Sequence, residues 1–133
     1  MSDHEHVHIE ETTPWVLRWL RAEGAVGLVF GRLMWTAARG EPLWFAVLLL
    51  VPDLSMVGYL RGPHIGAITY NLVHNWFVGG ALLIAGLAVG SPFLGQVGAI
   101  LVAHTGIDRL LGYGLKYPTS FQDTHLGRIG RRA

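Results

Sequence analysis

Two carboxylates fall inside long apolar runs of this 133-residue chain: Asp53 in LLLVPDLSMVGYL and Asp108 in ILVAHTGIDRLLGYGL. Between Pro42 and Lys116 only these two and Arg61 and Arg109 carry formal charge. An ionised side chain inside a membrane-length apolar segment is costly, so it faces a bundle interior and has a partner there. His104 and Asp108 are four residues apart and share one helical face, where they can hold one cation or each other. Tyr70 and His74 repeat that spacing, with Asn71 three before His74, and make a second polar face. Imidazole nitrogens with carboxylate oxygens suit a divalent metal such as zinc or manganese. His74, His104 and Asp108 are the candidate ligands, with Asp53 as fourth ligand or general base and His125 as a further ligand. An open coordination position would activate water for hydrolysis. The same residues also fit a network in which His and Asp neutralise one another and Arg109 balances the charge, either structural or a proton path.

The elements that must position these groups are helices. Thr13 and Pro14 make a helix start, and Pro14 to about Ala38 is a first segment with Trp15, Trp19 and Arg18 at its head. Two placements fit it, one in the membrane interface and one crossing at a tilt with Arg32 snorkelling. Apolar stretches then run over Leu43–Leu60, Ile65–Gly90 and Phe93–Leu115, each near the ~20 residues that cross a bilayer core. The short links RGPH and GSPF favour antiparallel neighbours. The expected fold is all-α, an integral membrane bundle of about four antiparallel helices. Residues 1–13 are expected as a flexible polar tail, 14–127 as one helical membrane domain and 128–133 as a basic C-terminal tail.

Antiparallel connectivity sets the depth of each polar group. At ~1.5 Å rise per residue, Asp53 lies about 10 Å from Leu60 and Asp108 about 10 Å from Leu115. His74 lies about 14 Å beyond Ile65 and His104 about 16 Å before Leu115. All four therefore fall in one layer, nearer the same mouth. Pro52, just before Asp53, interrupts the helical ladder and frees backbone carbonyls, which a membrane tolerates where they line a polar cavity. Arg109 is adjacent to Asp108 and points elsewhere, toward Asp53 or toward the mouth. Gly112, Gly114 and Pro118 end the last helix, and beyond them Asp123, Thr124 and His125 either fold back over the mouth or form a solvated tail anchored by Tyr113, Tyr117 and Phe121.

Composition narrows the classes. Half the residues are hydrophobic and 14% are charged, about half the usual share of a soluble domain. There is no cysteine, which removes disulfides, thiolate catalysis and cysteine-ligated zinc. A net charge of +1 without a clustered basic face argues against nucleic acid. MSDHEHVHIEE is acidic where the head of a signal peptide is basic, so no cleaved signal is expected. His4, His6 and His8 have no preorganised geometry and read as incidental. The steps Gly86–Gly90 and Gly95–Ala99 read as helix contacts. Arg18, Arg21, Arg61, Lys116 and the terminal arginines gather at one end, which the positive-inside rule makes cytoplasmic. The expected location is the inner (plasma) membrane, multi-pass, with both termini cytoplasmic.

PDLSMVGYL at 52–60, TYNLVHNW at 69–76 and AHTGIDRLLGYGLKYPTSFQDTHLG at 103–127 resemble a bacterial family of small membrane proteins, domain of unknown function family 4260. The resemblance covers most of residues 24–127. It implies a compact multi-helix membrane protein whose recurring polar positions fall on Asp53, Tyr70, Asn71, His74, His104, Asp108, Arg109, Lys116, Asp123 and His125. It implies no activity. By analogy alone, membrane-bound metal-dependent hydrolases also place His and Asp on apolar helices. Three functions follow. One is a metal-binding membrane hydrolase acting on a lipid or other amphiphile at the cytoplasmic face, with Lys116 or Arg109 on an anionic head group. Another is a carrier or proton-coupled binding protein, which in a chain this small needs a homo-oligomer. The third is a structural membrane subunit.

Overall fold

The computed structural model describes residues 13–129. Among the described residues four helical rods follow one another, two of them broken, and the only strands are a ladder of two two-residue strands near the end. The expected N-terminal tail, apart from Thr13, and the last four residues of the C-terminal tail lie outside the described residues.

Helix α1 spans Pro14–Ala37, with Thr13 at the N-cap position and Pro14 in its first turn, where a missing N–H costs nothing. The second rod is α2, Pro42–Leu48, continued by a 3-10 helix over Val51–Arg61. Gly62, at φ 107°, turns the chain into α3, Pro63–Val73. The stretch expected as one helix through Gly90 is instead broken at His74 and Asn75, and α4 runs Trp76–Val89. Asn75 makes the restart: its side chain accepts the Val78 N–H at 2.8 Å, a standard N-cap bond. Gly90, at φ 66°, caps α4 in the left-handed conformation and is not the helix contact expected of it. Helix α5, Pro92–Leu110, stops five residues short of the expected Leu115.

Helix α5 is the centre. It packs along α1 on one side and α4 on the other, while the 3-10 helix packs on α3. Small residues permit these approaches: a Cβ on Gly31 would lie 2.6 Å from the backbone N of Ala103, and one on Gly98 would lie 2.8 Å from the carbonyl of Gly79. The first segment is thus a full packing partner of α5, antiparallel to it. Trp35, Phe45, Ala99, Ile100 and Ala103 form the apolar core at the α1–α2–α5 junction. Arg32 extends over the Phe45 ring, its guanidinium carbon 5.3 Å from the centroid, and donates to Thr36 Oγ1.

Two rods, Pro42–Arg61 and Pro63–Val89, are long and apolar enough to cross a membrane. Their large side chains point outward: Leu54, Leu60, Phe77 and Ile84 are 72%, 87%, 82% and 68% exposed.

After Leu110 the chain turns at Gly112 (φ 87°) and folds back. The Asn71 side chain clamps it, accepting the Lys116 N–H and donating to the Lys116 carbonyl, both at 2.7 Å. Strands β1, Asp123–Thr124, and β2, Gly127–Arg128, close a small ladder there, with Lys116 bridged to Thr124. Leu126 is 1% exposed, so this segment is packed. Of the two readings of Asp123, Thr124 and His125, the chain follows the fold-back.

Candidate metal centre

Pro52 is where the site begins. With no N–H it gives Leu49 no donor at i+3, and the Asp53 N–H goes to Leu50 O at 3.1 Å, not to Leu49 O. The Leu49 carbonyl is thereby left for a side chain, and His104 Nδ1 meets it at 2.5 Å. The break at His74 repeats the device. The His74 N–H turns back to Asn71 O at 3.3 Å, and His74 Nδ1 takes Tyr70 O at 2.7 Å. Both imidazoles are therefore fixed through Nδ1 by carbonyls of tightened helical turns.

A carbonyl only accepts, so each Nδ1 carries the proton. In the neutral ring each Nε2 then presents a lone pair, and both point at carboxylates. His104 Nε2 lies 3.0 Å from Asp53 Oδ1 and 3.6 Å from Asp108 Oδ2; His74 Nε2 lies 3.2 Å and 3.6 Å from the same two oxygens. One ligand atom from each of the four falls within 4.8 Å of all the others. Acceptors facing acceptors repel, so the arrangement requires positive charge at its centre. Either protons taken up by the imidazoles or the carboxyls fill it, or one cation sits among the four. A tetrahedral site with ~2.1 Å arms has edges of about 3.4 Å, and the four N–O separations bracket that length.

The surroundings support the group. Tyr70 OH donates to Asp108 Oδ2 at 2.8 Å, and its ring stacks on His74 at 3.7 Å and 6°. His74 and His104 meet edge to face at 4.8 Å. His74, His104 and Asp108 are buried, whereas the Asp53 side chain is 43% exposed. Arg109 is buried but touches neither carboxylate; it donates to His74 O and Tyr113 O, both at 2.9 Å, and so ties the break after α3 to the turn that follows α5. That differs from either position expected of it, because the two open carbonyls lie closer to hand than the acids.

Asp53 opens onto a cleft of about 260 Å³ that also has Met56, Tyr70, Asp108, Tyr113, Lys116, Phe121 and Ile129 in its walls. Lys116 is 4% exposed; burial pushes its ammonium down to about 8. Its Nζ lies over the rings of Phe121 and Tyr70, 3.8 and 4.8 Å from their centroids. Asn71 acts as the clamp described above.

Asp123 and His125, drawn from the same C-terminal motif, are placed apart from the four. Asp123 binds Thr119 Oγ1 at 2.6 Å and Arg128 Nη1 at 3.2 Å and organises the fold-back. His125 Nδ1 accepts the Leu115 N–H at 2.7 Å, and burial and the charge of Arg109 hold its pKa below the usual histidine value. The Leu49 and Tyr70 carbonyls were not foreseen as individual partners, although Pro52 announces the first. Tyr113 and Phe121, expected as interfacial anchors, instead wall the cleft.

No curated protein and no solved structure matches the chain. A family model described as "Domain of unknown function (DUF4260)" matches residues 17–129, most of the chain and all four residues of the His/Asp cluster, and the chain belongs to that family.

Proposed function

We propose that this is an integral membrane protein whose His74, His104, Asp53 and Asp108 hold one divalent metal, zinc or manganese, and that the centre serves hydrolysis of an amphiphile at the cytoplasmic face. The observation that carries the metal reading is the pair of Nδ1–H bonds to Leu49 O and Tyr70 O. They commit both Nε2 atoms to the centre in the manner of metal-ligating histidines. Charge agrees, since two carboxylates beside two neutral imidazoles sum to −2, and one divalent ion cancels it.

Hydrolysis is supported by access. Asp53 and Asp108 both line the cleft, and Asp53, with its side chain 43% exposed, is the one open enough to yield to water and accept its proton. A divalent ion there supplies Lewis acidity and lowers the pKa of that water. The membrane assignment rests on the outward apolar faces of Pro42–Arg61 and Pro63–Val89, which water would not cover cheaply. Arg21, which donates to the Leu110 carbonyl at the end of α5, and Arg61, at the end of the 3-10 helix, support a cytoplasmic orientation of that end by the positive-inside rule.

The test is elemental analysis of full-length protein purified in detergent without chelators. It should carry His4→Ala, His6→Ala and His8→Ala so that the N-terminal histidines add no metal. About one equivalent of divalent metal is expected, lost in the further variant His104→Ala. No metal after supplementation would leave protons as the central charge and end the metal reading. Extraction of membranes with alkaline carbonate should leave the protein in the pellet.

A further inference from the structure

We infer that the cleft beside the four-residue cluster binds a phosphate bearing one organic substituent or none, its oxygens shared between Lys116 and the cation held by the cluster; this rests on the metal reading above. Lys116 Nζ has no carboxylate within 4.0 Å among the described residues, and two aromatic rings hold it in place. Its backbone is fixed on both sides by Asn71, so the ammonium is placed by the fold and is not a wandering surface charge. A buried ammonium with rings around it and only the more distant charges of Asp108 and Asp53 to favour it has no anion in contact to offset its desolvation.

Charge arithmetic then selects the ligand. Arg109 is also buried and also lacks an acid partner, since its guanidinium donates to backbone carbonyls. Asp53 and Asp108 contribute −2, a divalent cation +2, and Lys116 and Arg109 +2, leaving +2 in a largely apolar surround. A phosphate with at most one substituent carries about −1.5 to −2 near neutral pH, which matches. A carboxylate or a phosphodiester supplies only half of it. The tetrahedral arrangement of phosphate oxygens can also face the cation and the ammonium together. Met56, Tyr113, Phe121 and Ile129 give the cleft an apolar wall against which a hydrocarbon substituent would lie.

Two sources share this chemistry, a lipid phosphomonoester and free phosphate. The experiment is calorimetric titration of the full-length, metal-loaded protein in neutral detergent with inorganic phosphate and with short-chain phosphatidic acid, and zwitterionic phosphatidylcholine as the control. The parent is expected to bind at least one of the first two. Lys116→Met should weaken that binding about 10- to 100-fold, the range for losing a charge-assisted hydrogen bond, with its metal content unchanged. Lys116→Arg should retain most of it, and Lys116→Gln stands in if the Met variant shows no cooperative melting. Binding of phosphatidic acid alone identifies a lipid source; equal binding of both identifies free phosphate. Parent-like affinity in the charge-less variants, or no binding of either probe at millimolar concentration, overturns the inference. Metal without phosphate binding would sink this inference and leave the metal reading standing. Lys116-dependent phosphate binding by a protein that holds no metal would overturn both the metal reading and the shared coordination inferred here.

Discussion

Pro52→Ala tests the link between backbone and centre without touching a ligand. Pro52 is buried and is the second residue of the 3-10 helix. Alanine restores an N–H at this position. If the tightened turn persists, that N–H donates to Leu49 O; if the α-helical ladder continues instead, it donates to Leu48 O and the Asp53 N–H moves onto Leu49 O. Either route brings a competing donor to the carbonyl that now receives His104 Nδ1. A carbonyl has two lone pairs, so the imidazole is misdirected more than abandoned. Loss of an outer partner of a ligating histidine weakens metal binding about 10- to 100-fold, and the lower end applies here. That is about 1.4 kcal/mol of binding free energy. The assay is competition for zinc or manganese against a chromophoric chelator, with His104→Ala as the benchmark for a lost ligand. Thermal melting of the metal-free forms separates any general loss of stability, for which about 0.4–1 kcal/mol is expected from removing a compatible proline. Parent-like metal affinity in Pro52→Ala, beside loss in His104→Ala, would refute the assignment of the Leu49 carbonyl as the group that aims His104.

Other perturbations follow from the same geometry. Tyr70→Phe removes the 2.8 Å donor to Asp108 Oδ2 and keeps the ring stacked on His74, so metal affinity should fall about tenfold in the same chelator competition. Asn71→Ala cuts both bonds to the Lys116 backbone, so residues 117–129 should become sensitive to limited proteolysis and the melting point should drop by the equivalent of about 1–3 kcal/mol. Lys116 gives a pH signature. Its ammonium is held at about 8 in the fold against 10.5 ordinarily, so between those values the unfolded chain binds the extra proton and stability rises with pH. The rise is at most about 3 kcal/mol, is complete above 10.5, and should vanish in Lys116→Met; melts from pH 7.5 to 11 in detergent read it directly.

The sequence disclosed the site better than it disclosed the path of the chain through it. Depth along antiparallel apolar segments brought Asp53, His74, His104 and Asp108 into one layer, because charge burial leaves few placements for such groups and helical rise is nearly invariant. The structure puts those four together. What spacing could not deliver was the backbone. His74 and Asn75 lie in an unbroken apolar run and read as helix interior, yet Asn75 caps a new helix and His74 spends its Nδ1 on Tyr70 O. Such side-chain-to-backbone competition is a local choice that hydropathy does not register. Arg109 shows a related limit: of its two expected positions the pairing with Asp53 is not made, because the His74 carbonyl at the break and the Tyr113 carbonyl after α5 take its guanidinium. The ends of the last motif show the same limit. Asp123 and His125 sit in a polar run close in sequence to Lys116, and only the fold-back, fixed by Asn71 from a distant helix, decides that Lys116 turns into the cleft while Asp123 turns to Arg128. Residue type named the chemistry of this centre. Three unsatisfied carbonyls, at Leu49, Tyr70 and His74, determined where its side chains point.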